Sequence, residues 1–198
     1  MNVRIRRGTP DEADALTALA HAAKRHWGYP AEWIDYWKSD LTLTPEFISN
    51  NEVFVATIDN TIAGCCALVT SNGLAELEHM WIDPKQMGQG IGRALFEHTQ
   101  RRAQELGFST LELSADPNAE AFYERMGARR IGELPADMFG HARVLPRMRV
   151  EFVVLPSGAI QIPPEGGTPN STRIRGSTRE RPNISAGSSP IRLAPIRS

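Results

Sequence analysis

A strand end, a glycine-rich turn and the start of a helix meet in the stretch Trp81-Ile82-Asp83-Pro84-Lys85-Gln86-Met87-Gly88-Gln89-Gly90-Ile91-Gly92-Arg93-Ala94-Leu95. The glycines at alternate positions expose consecutive backbone N–H groups, and the helix dipole adds partial positive charge at the same point. The stretch therefore predicts a phosphate-binding loop. Gly88, Gly90 and Gly92 are equally consistent with a tight turn that packs the helix closely against the sheet.

Two common phosphate-binding motifs do not fit this loop. A Walker loop needs Lys followed by Ser or Thr after its last glycine, whereas Gly92 is followed by Arg93-Ala94, so ATP hydrolysis is not expected. A dinucleotide fingerprint needs two residues between its last glycines and lies in a βαβ unit. Here one residue separates Gly90 from Gly92 and the loop follows predicted antiparallel strands, so NAD is not expected either.

Outward from the loop, the hydrophobic period alternates between values typical of strands and of helices. Predicted strands cover residues 3–7, 53–58, 62–70, 74–82, 110–114, 129–132 and 148–154. Predicted helices cover residues 10–26, 33–37, a short segment from 44, 90–105 and 119–126. The three strands between residues 53 and 82 follow one another through short turns and form an antiparallel meander. The order predicts a mixed α/β domain.

Composition restricts the class of protein. The chain has 198 residues, 41% of them hydrophobic, which suffices for one domain with a modest appendage. A net charge of -1 lacks the basic excess of many nucleic-acid binders, so no nucleic-acid partner is expected. No apolar run approaches the roughly 20 residues of a membrane helix, and the first residues lack a signal-peptide core. We therefore expect a soluble cytoplasmic protein without a membrane partner. Adjacent Cys65 and Cys66 are expected to be buried thiols.

The composition changes near residue 156, beyond which Pro, Gly, Ser, Thr and Arg dominate. This predicts a folded domain over residues 1–155 and a disordered tail over 156–198. The tail contains six arginines and two glutamates, a net charge of +4 that leaves -5 on the domain. A solvated extension is the favoured interpretation of the tail. Its alternative, a tether for an anionic partner, would make the chain an interaction protein.

The loop resembles the signature of the GNAT superfamily of acyltransferases: Gln or Arg, two residues, Gly, one residue, then Gly or Ala. Met87-Gly88-Gln89-Gly90-Ile91-Gly92 matches it everywhere except at Met87, and Lys85 or Arg93 could supply the missing charge. The resemblance covers the domain and implies a mostly antiparallel sheet, flanked by helices and splayed between its fourth and fifth strands. It also implies an acetyl-CoA site. That site would comprise Met87, Gly88, Gln89, Gly90, Ile91, Gly92, Arg93 and the backbone of Met80, Trp81 and Ile82, one of whose N–H groups would polarise the thioester carbonyl.

A second family element is Asp116-Pro117-Asn118-Ala119-Glu120-Ala121-Phe122-Tyr123-Glu124-Arg125-Met126-Gly127. In similar proteins the tyrosine of this helix lies near the sulfur of coenzyme A, which makes Tyr123 the candidate general acid and a cofactor contact. A phenol is protonated at neutral pH and can donate to a departing thiolate. Asn118 is the candidate amide contact to the cofactor, with Asp116 as its rival. The alternative role for Tyr123 is packing between helix and sheet.

The fourth strand carries two candidate bases. Strict alternation would place Glu76, Glu78, Met80 and Ile82 on one face and Leu77, His79 and Trp81 on the other. By analogy with the family, Glu76 would accept the amine proton directly or through water, and Glu78 is the rival. Two neighbouring carboxylates would help to raise one pKa. Solvation or pairing with an arginine is the alternative, and His79 is expected to be a packed histidine.

The aromatic residues Trp27, Tyr29 and Trp33 fall where the family lines its acceptor pocket, so they are candidate substrate contacts; packing in the core is the alternative. The sequence offers no nucleophilic cysteine and no spaced ligand cluster, so neither a covalent intermediate nor a metal is expected. The resulting hypothesis is an N-acetyltransferase that moves acetyl from acetyl-CoA to a primary amine, with a small molecule as acceptor, in a ternary complex. A non-catalytic acyl-CoA-binding module or sensor is the alternative. Homodimerisation through the last strands stays open.

Overall fold

The computed structural model describes residues 3–152, and the tail predicted from residue 156 lies outside them. Seven strands form one sheet: β1 (Arg4–Arg7), β2 (Glu52–Ile58), β3 (Thr61–Ser71), β4 (Leu74–Ile82), β5 (Thr110–Ser114), β6 (Arg129–Met138) and β7 (His141–Glu151). The helices are α1 (Ala13–His26), α2 (Ala31–Tyr36), α3 (Pro45–Asn50), α4 (Ile91–Glu105) and α5 (Glu120–Arg125). This is the mixed α/β architecture that the sequence predicted.

The sheet has the order β1-β2-β3-β4-β5-β7-β6, and every neighbouring pair is antiparallel except β4 and β5. Those two parallel strands share a single registered pair, Glu76 with Glu112. Because no further residues of the described chain pair across them, β4 and β5 separate beyond that point. The expected splay between the fourth and fifth strands is therefore present.

Helices cover both faces of the sheet. Helices α4 and α5 enclose one core, which includes Leu95, Phe96 and Cys66. The first three helices enclose the other, which includes Leu16 and Cys65. The two cysteines are fully buried on opposite faces, as predicted. Among residues 3–152, no helix combines the length and apolar character that a membrane crossing requires.

Strand β4 does not alternate regularly, which corrects the predicted assignment of its faces. Ala67 of β3 pairs with His79, whereas the next residue, Leu68, pairs with Leu77, so Glu78 is an extra residue in a β-bulge. As a result Leu77 packs in the same core as Met80 and Ile82, and Trp81 packs in the opposite core. Glu76, next to Leu77, therefore points to the opposite face from Met80 and Ile82.

The last two strands are longer than predicted. The sequence suggested strands at 129–132 and 148–154, whereas β6 and β7 form one hairpin over residues 129–151. Proline and charge interrupt the apolar pattern there, and a strand pair at the sheet edge tolerates both. Phe139 and Gly140 make its two-residue turn with φ of 54° and 82°. The turn packs on α2, since the rings of Phe139 and Tyr36 lie 5.5 Å apart.

A partly buried ionic group, which we call the Asp116 cluster, joins the end of β5 to α1 and β7. It comprises Lys24, Tyr29, Asp116, Asn118 and Arg143. Oδ2 of Asp116 accepts hydrogen bonds from Lys24 Nζ at 2.5 Å and Arg143 Nη2 at 2.9 Å. Oδ1 accepts from the Tyr29 hydroxyl at 2.8 Å and from the Asn118 backbone N–H at 3.0 Å. One carboxylate thus ties together three parts of the fold.

Close packing of α4 on β3 requires Gly64. A Cβ at this position would lie 2.9 Å from Ile82 Cδ1 and 3.1 Å from Leu95 Cδ1. We expect Gly64→Ala to lower the free energy of unfolding by about 1 to 3 kcal/mol through overpacking. In the control Gly132→Ala, where a Cβ would have nothing within 4 Å, we expect no loss. Urea denaturation of both variants measures the difference, and equal stability would contradict the tight contact.

Removing the charge of Asp116 leaves two cations, whose side chains are only 10% and 11% exposed, without their counterion. We expect Asp116→Asn to lower the free energy of unfolding by about 3 to 5 kcal/mol for that reason. The control is Glu105→Gln, because the Glu105 side chain is 62% exposed in its ion pair with Arg102. Its loss should stay below about 1 kcal/mol. If the two variants unfold at the same urea concentration, Asp116 does not tie the fold together.

Candidate active site

A cleft of about 470 Å³ opens where β4 and β5 separate. Residues from the end of β4, including Glu78, form one wall, and Leu113 and Ser114 of β5 form the other. The glycine loop lies at one end, and Tyr123 of α5 also contributes to the lining. This volume is within the usual range for small-molecule sites. The predicted site residues that line it are Glu78, Met80, Trp81, Ile82, Met87, Gly88, Gly90, Ile91, Gly92, Arg93, Asn118, Tyr123 and Trp27.

The glycine loop presents unused backbone donors to this cleft. Gly88 and Gly90 have φ of 80° and 81°, a conformation that favours glycine, and Gly90 caps the N-terminus of α4. Within the described chain, no backbone hydrogen bond is donated by the N–H groups of residues 88–93; the first helical bond runs from Ala94 to Gly90 at 3.0 Å. Gly92 lies beside the ring of Phe122, which a Cβ at this position would contact at 3.4 Å. The loop can therefore bind an anion.

Tyr123 is buried between two aromatic rings. The side chain is only 7% exposed and packs between Phe96 and Phe122, with ring centroids 5.4 and 5.1 Å away. Burial raises the pKa of its phenol, and nearby Cys66 and Asp116 raise it further. The hydroxyl is therefore protonated at neutral pH and can act as a proton donor. Packing and a role in the cleft, the two alternatives from the sequence, are both compatible with this position.

The two carboxylates on β4 occupy different sites. Glu78 lines the cleft, and its pKa is raised by partial burial and then by the charge of Glu76. Glu76 is not among the residues that line the cleft and pairs with Val69 of β3. His79 is buried, as predicted: burial lowers its pKa to about 4, and its Nδ1 accepts a hydrogen bond from the Trp81 indole at 3.0 Å. A neutral histidine in this position is part of the core.

The aromatic candidates are divided between cleft and core. Trp27 lines the cleft and is 39% exposed. Tyr29 and Trp33 are not among the residues that line it; they stack on each other with centroids 5.9 Å apart, and both meet Trp37 edge to face. Tyr29 and Trp33 thus form an aromatic layer outside the cleft lining, next to Asp116 through Tyr29. Trp27, in contrast, can contact a bound molecule.

The Asp116 cluster borders the cleft through Asp116 and Asn118. Burial opposes ionisation of Asp116, but Lys24 and the hydrogen bonds from Lys24, Tyr29 and Asn118 outweigh it and lower its pKa. Burial lowers the pKa of Lys24, and Asp116 partly offsets that effect. Burial and the bond to Asp116 raise the pKa of Tyr29 to about 12. Asp116 is thus a carboxylate and Tyr29 a neutral phenol at pH 7.

Several residues near the cleft were not identified from the sequence. Ser114 and Arg125 line it, and their positions at the end of β5 and one helical turn after Phe122 could have indicated them. Lys24 and Arg143 lie on α1 and on the unpredicted part of β7. No local pattern links these two residues. Gln89, a predicted cofactor contact, is not among the residues that line the cleft.

Comparison with known proteins agrees with this geometry. A family model for the acetyltransferase (GNAT) domain matches residues 49–127. An IAA acetyltransferase of Azospirillum brasilense is 32% identical over 118 residues, which cover 57% of this chain and 72% of that protein. The peptidyl-lysine N-acetyltransferase YjaB of Salmonella typhimurium is 27% identical over 142 residues, 71% of this chain and 92% of YjaB.

Solved structures share the fold. The PaiA N-acetyltransferase from Thermoplasma acidophilum, in complex with coenzyme A, has a TM-score of 0.64 at 18% identity, covering 77% of this chain and 100% of that one. A GCN5-related N-acetyltransferase from Rhodopseudomonas palustris has a TM-score of 0.67, also at 18% identity, covering 77% of this chain and 97% of that one. With the family model and the 32% identical relative, these findings show that the chain belongs to the GNAT acetyltransferase family and is an acyltransferase.

Proposed function

We propose that the protein transfers the acetyl group of acetyl-CoA to a primary amine of a small molecule, with both substrates bound at once. The observation that carries the proposal is the single cleft that brings together the glycine loop, the open edge of β4, Tyr123 and Glu78. Binding, polarisation, acid and base functions would then operate in one continuous space. Family membership supports acetyl-CoA as donor, and the coenzyme A complex of the PaiA enzyme is consistent with it.

The glycine loop would hold the pyrophosphate of acetyl-CoA. Its free N–H groups and the N-terminus of α4 supply donors and partial positive charge, as anion sites at helix N-termini require. Arg93 and Arg125, which also line the cleft, would add full charges. Met87 supplies no polar side-chain contact, so the backbone would carry more of the binding. The apolar walls, which include Leu77 and Leu113, would receive the pantetheine arm.

The transfer would proceed as one addition and elimination at the thioester carbon. The amine nitrogen attacks that carbon, a backbone N–H of β4 near Met80 stabilises the oxyanion, and the C–S bond breaks as the tetrahedral intermediate collapses. Glu78, directly or through water, takes the proton lost by nitrogen. Tyr123 gives its proton to the departing thiolate and regains one from solvent. The products are an N-acetylated amine and free coenzyme A.

A small-molecule acceptor is supported by the contacts of the β6–β7 hairpin. Its tip packs on α2 through Phe139 and Tyr36, and His141 lies 6.1 Å from Trp33. These contacts join α2 to the hairpin tip, which would leave less room between them for a polypeptide acceptor. The cleft itself is large enough for the end of the donor together with a small amine.

The first experiment is a thermal-shift titration of the full chain with acetyl-CoA, beside ATP and NAD. At about one hundred times its Kd, acetyl-CoA should add about 2.7 kcal/mol and raise Tm by about 5 to 10 °C. The two nucleotide controls should leave Tm unchanged. A chain that fails to respond to acetyl-CoA would contradict the proposed function. A chain that binds acetyl-CoA but acetylates no amine would be an acyl-CoA-binding module instead.

Loss of the Tyr123 hydroxyl should slow transfer without preventing donor binding. We expect Tyr123→Phe to lower kcat by about 100-fold, because the thiolate would leave without a proton donor. Its acetyl-CoA thermal shift should match that of the unaltered chain, since the ring still fills the site. The control is Tyr36→Phe, at an exposed tyrosine outside the cleft, which should keep full kcat. Full turnover by the Tyr123→Phe variant would exclude Tyr123 as the acid.

Glu78 should determine how the rate depends on pH. A general base acts only when deprotonated, so kcat/KM should rise with pH through the elevated pKa of Glu78 and level off above it. We expect Glu78→Gln to lower the plateau and remove this rise. Glu76→Gln should keep the rise and move it to lower pH, because Glu76 contributes to the elevation. The reverse result would make Glu76 the base.

A further inference from the structure

Alternate backbone N–H groups of β4 point to β3 and to the gap beside β5. The N–H of Asp83, just after β4, donates to the carbonyl of Ala63 in β3 at 2.9 Å. From His79 onward the pairing with β3 runs without a shift, and successive N–H groups of a strand point to opposite edges. The N–H groups of His79 and Trp81 therefore point to β3, whereas that of Met80 points into the gap.

The Met80 N–H is thus available to a bound molecule. Met80 lines the cleft, and within the described chain β4 and β5 share only the pair Glu76 and Glu112, so no residue of β5 pairs with Met80. The proposed transfer requires such a donor at the thioester carbonyl. This N–H belongs to the peptide group that joins His79 to Met80, so the orientation of that peptide group determines where the donor points.

A side-chain hydrogen bond spans this peptide group. The indole N–H of Trp81 donates to Nδ1 of His79 at 3.0 Å, from the same face of β4 and with Met80 between the two residues in the chain. We call this contact the His79–Trp81 bridge. A strand with one unpaired edge is held by its other edge only. A bond between the side chains on either side of Met80 restricts rotation of the two peptide groups between them.

His79 is suited to accept this bond at neutral pH. It is only 7% exposed, and its ring meets that of Phe47 in α3 edge to face, with centroids 5.2 Å apart. Burial lowers its pKa to about 4, so the imidazole is neutral at pH 7; because Nδ1 is the acceptor, the ring proton is on Nε2. His79 is not among the residues that line the cleft, so it would influence a bound molecule through β4.

We propose that His79 is a positioning residue: by accepting the Trp81 indole N–H, it fixes the peptide group whose Met80 N–H polarises the thioester carbonyl of acetyl-CoA. This inference rests on the proposed acetyl transfer and adds a residue that acts without touching either substrate. The His79–Trp81 bridge would then contribute to the rate of transfer and not to the affinity for acetyl-CoA.

Two variants of His79 separate the hydrogen bond from the packing. His79→Leu fills much of the same space but offers no acceptor, whereas His79→Asn offers a side-chain oxygen near the position of Nδ1. The acceptor is the primary amine with the highest turnover in a panel of alkylamines and amino acids. We expect His79→Leu to lower kcat by about tenfold or more with KM for acetyl-CoA unchanged, because small displacements of a catalytic group are costly. His79→Asn should recover most of that loss.

The control for packing is Phe47→Leu. This change removes a ring that contacts His79 in the same core and keeps both partners of the hydrogen bond. It should lower Tm, but kcat per folded molecule should match that of the unaltered chain. Circular dichroism at the assay temperature gives the folded fraction of each variant.

A spectroscopic readout tests the same inference without an acceptor. A hydrogen bond to a carbonyl oxygen lowers its infrared stretching frequency, so acetyl-CoA labelled with carbon-13 at the carbonyl should absorb at lower frequency when bound than when free. In His79→Leu the bound frequency should move toward the free value, whereas His79→Asn and Phe47→Leu should keep the low value. If His79→Leu fails to fold, Trp81→Phe removes the donor of the same bond and should give the same change.

The outcomes separate this inference from the proposed function. A chain that does not bind acetyl-CoA contradicts both. If a folded His79→Leu protein keeps full kcat and the low carbonyl frequency, the inference is overturned and the proposed function stands. Equal losses in His79→Leu, His79→Asn and Phe47→Leu would also overturn it, because they would show a role in packing alone. If acetyl-CoA binds but no amine of the panel is acetylated, the infrared comparison decides.

Discussion

The site depends on the early separation of two neighbouring strands. β4 and β5 are joined by the pair Glu76 and Glu112 and then part, whereas parallel strands normally continue to bond along their length. Unpaired backbone groups inside a protein are costly unless something else satisfies them. Beyond that pair, the backbone N–H and C=O groups on the facing edges of β4 and β5 therefore lack partners within the sheet. A ligand with an amide-rich arm, such as the pantetheine of acetyl-CoA, would supply partners for them.

The Asp116 cluster links three elements at the end of β5. It lies just beyond the end of β5 and draws α1 and β7 toward it through Lys24 and Arg143. Buried ions are expensive to desolvate, and removing one partner costs more than the pair contributes. Such a group specifies one arrangement of the three elements.

The sequence alone predicted those parts of the fold and of the candidate site that depend on one short segment each. The loop around Gly90, the helix with Tyr123 and the meander before them each have local signals, and the fold class followed from their order. The bulge at Glu78 was not predictable, because regular alternation is the only register that a single strand indicates. The ion pairs of Lys24 and Arg143 with Asp116 were not predictable either. These residues are adjacent only because β7 is longer than its apolar pattern suggests, and their contacts are made across the fold.

The bulge gives β4 one residue more than its pairing with β3 requires. Since Leu77 and His79 face consecutive residues of β3, Leu68 and Ala67, the remaining residues of β4 would keep their partners and their faces if Glu78 were absent. Glu78 is thus the one position of β4 at which a single-residue deletion is compatible with the sheet. Gain or loss of this residue during evolution would add or remove a carboxylate in the cleft, while the architecture around it persisted.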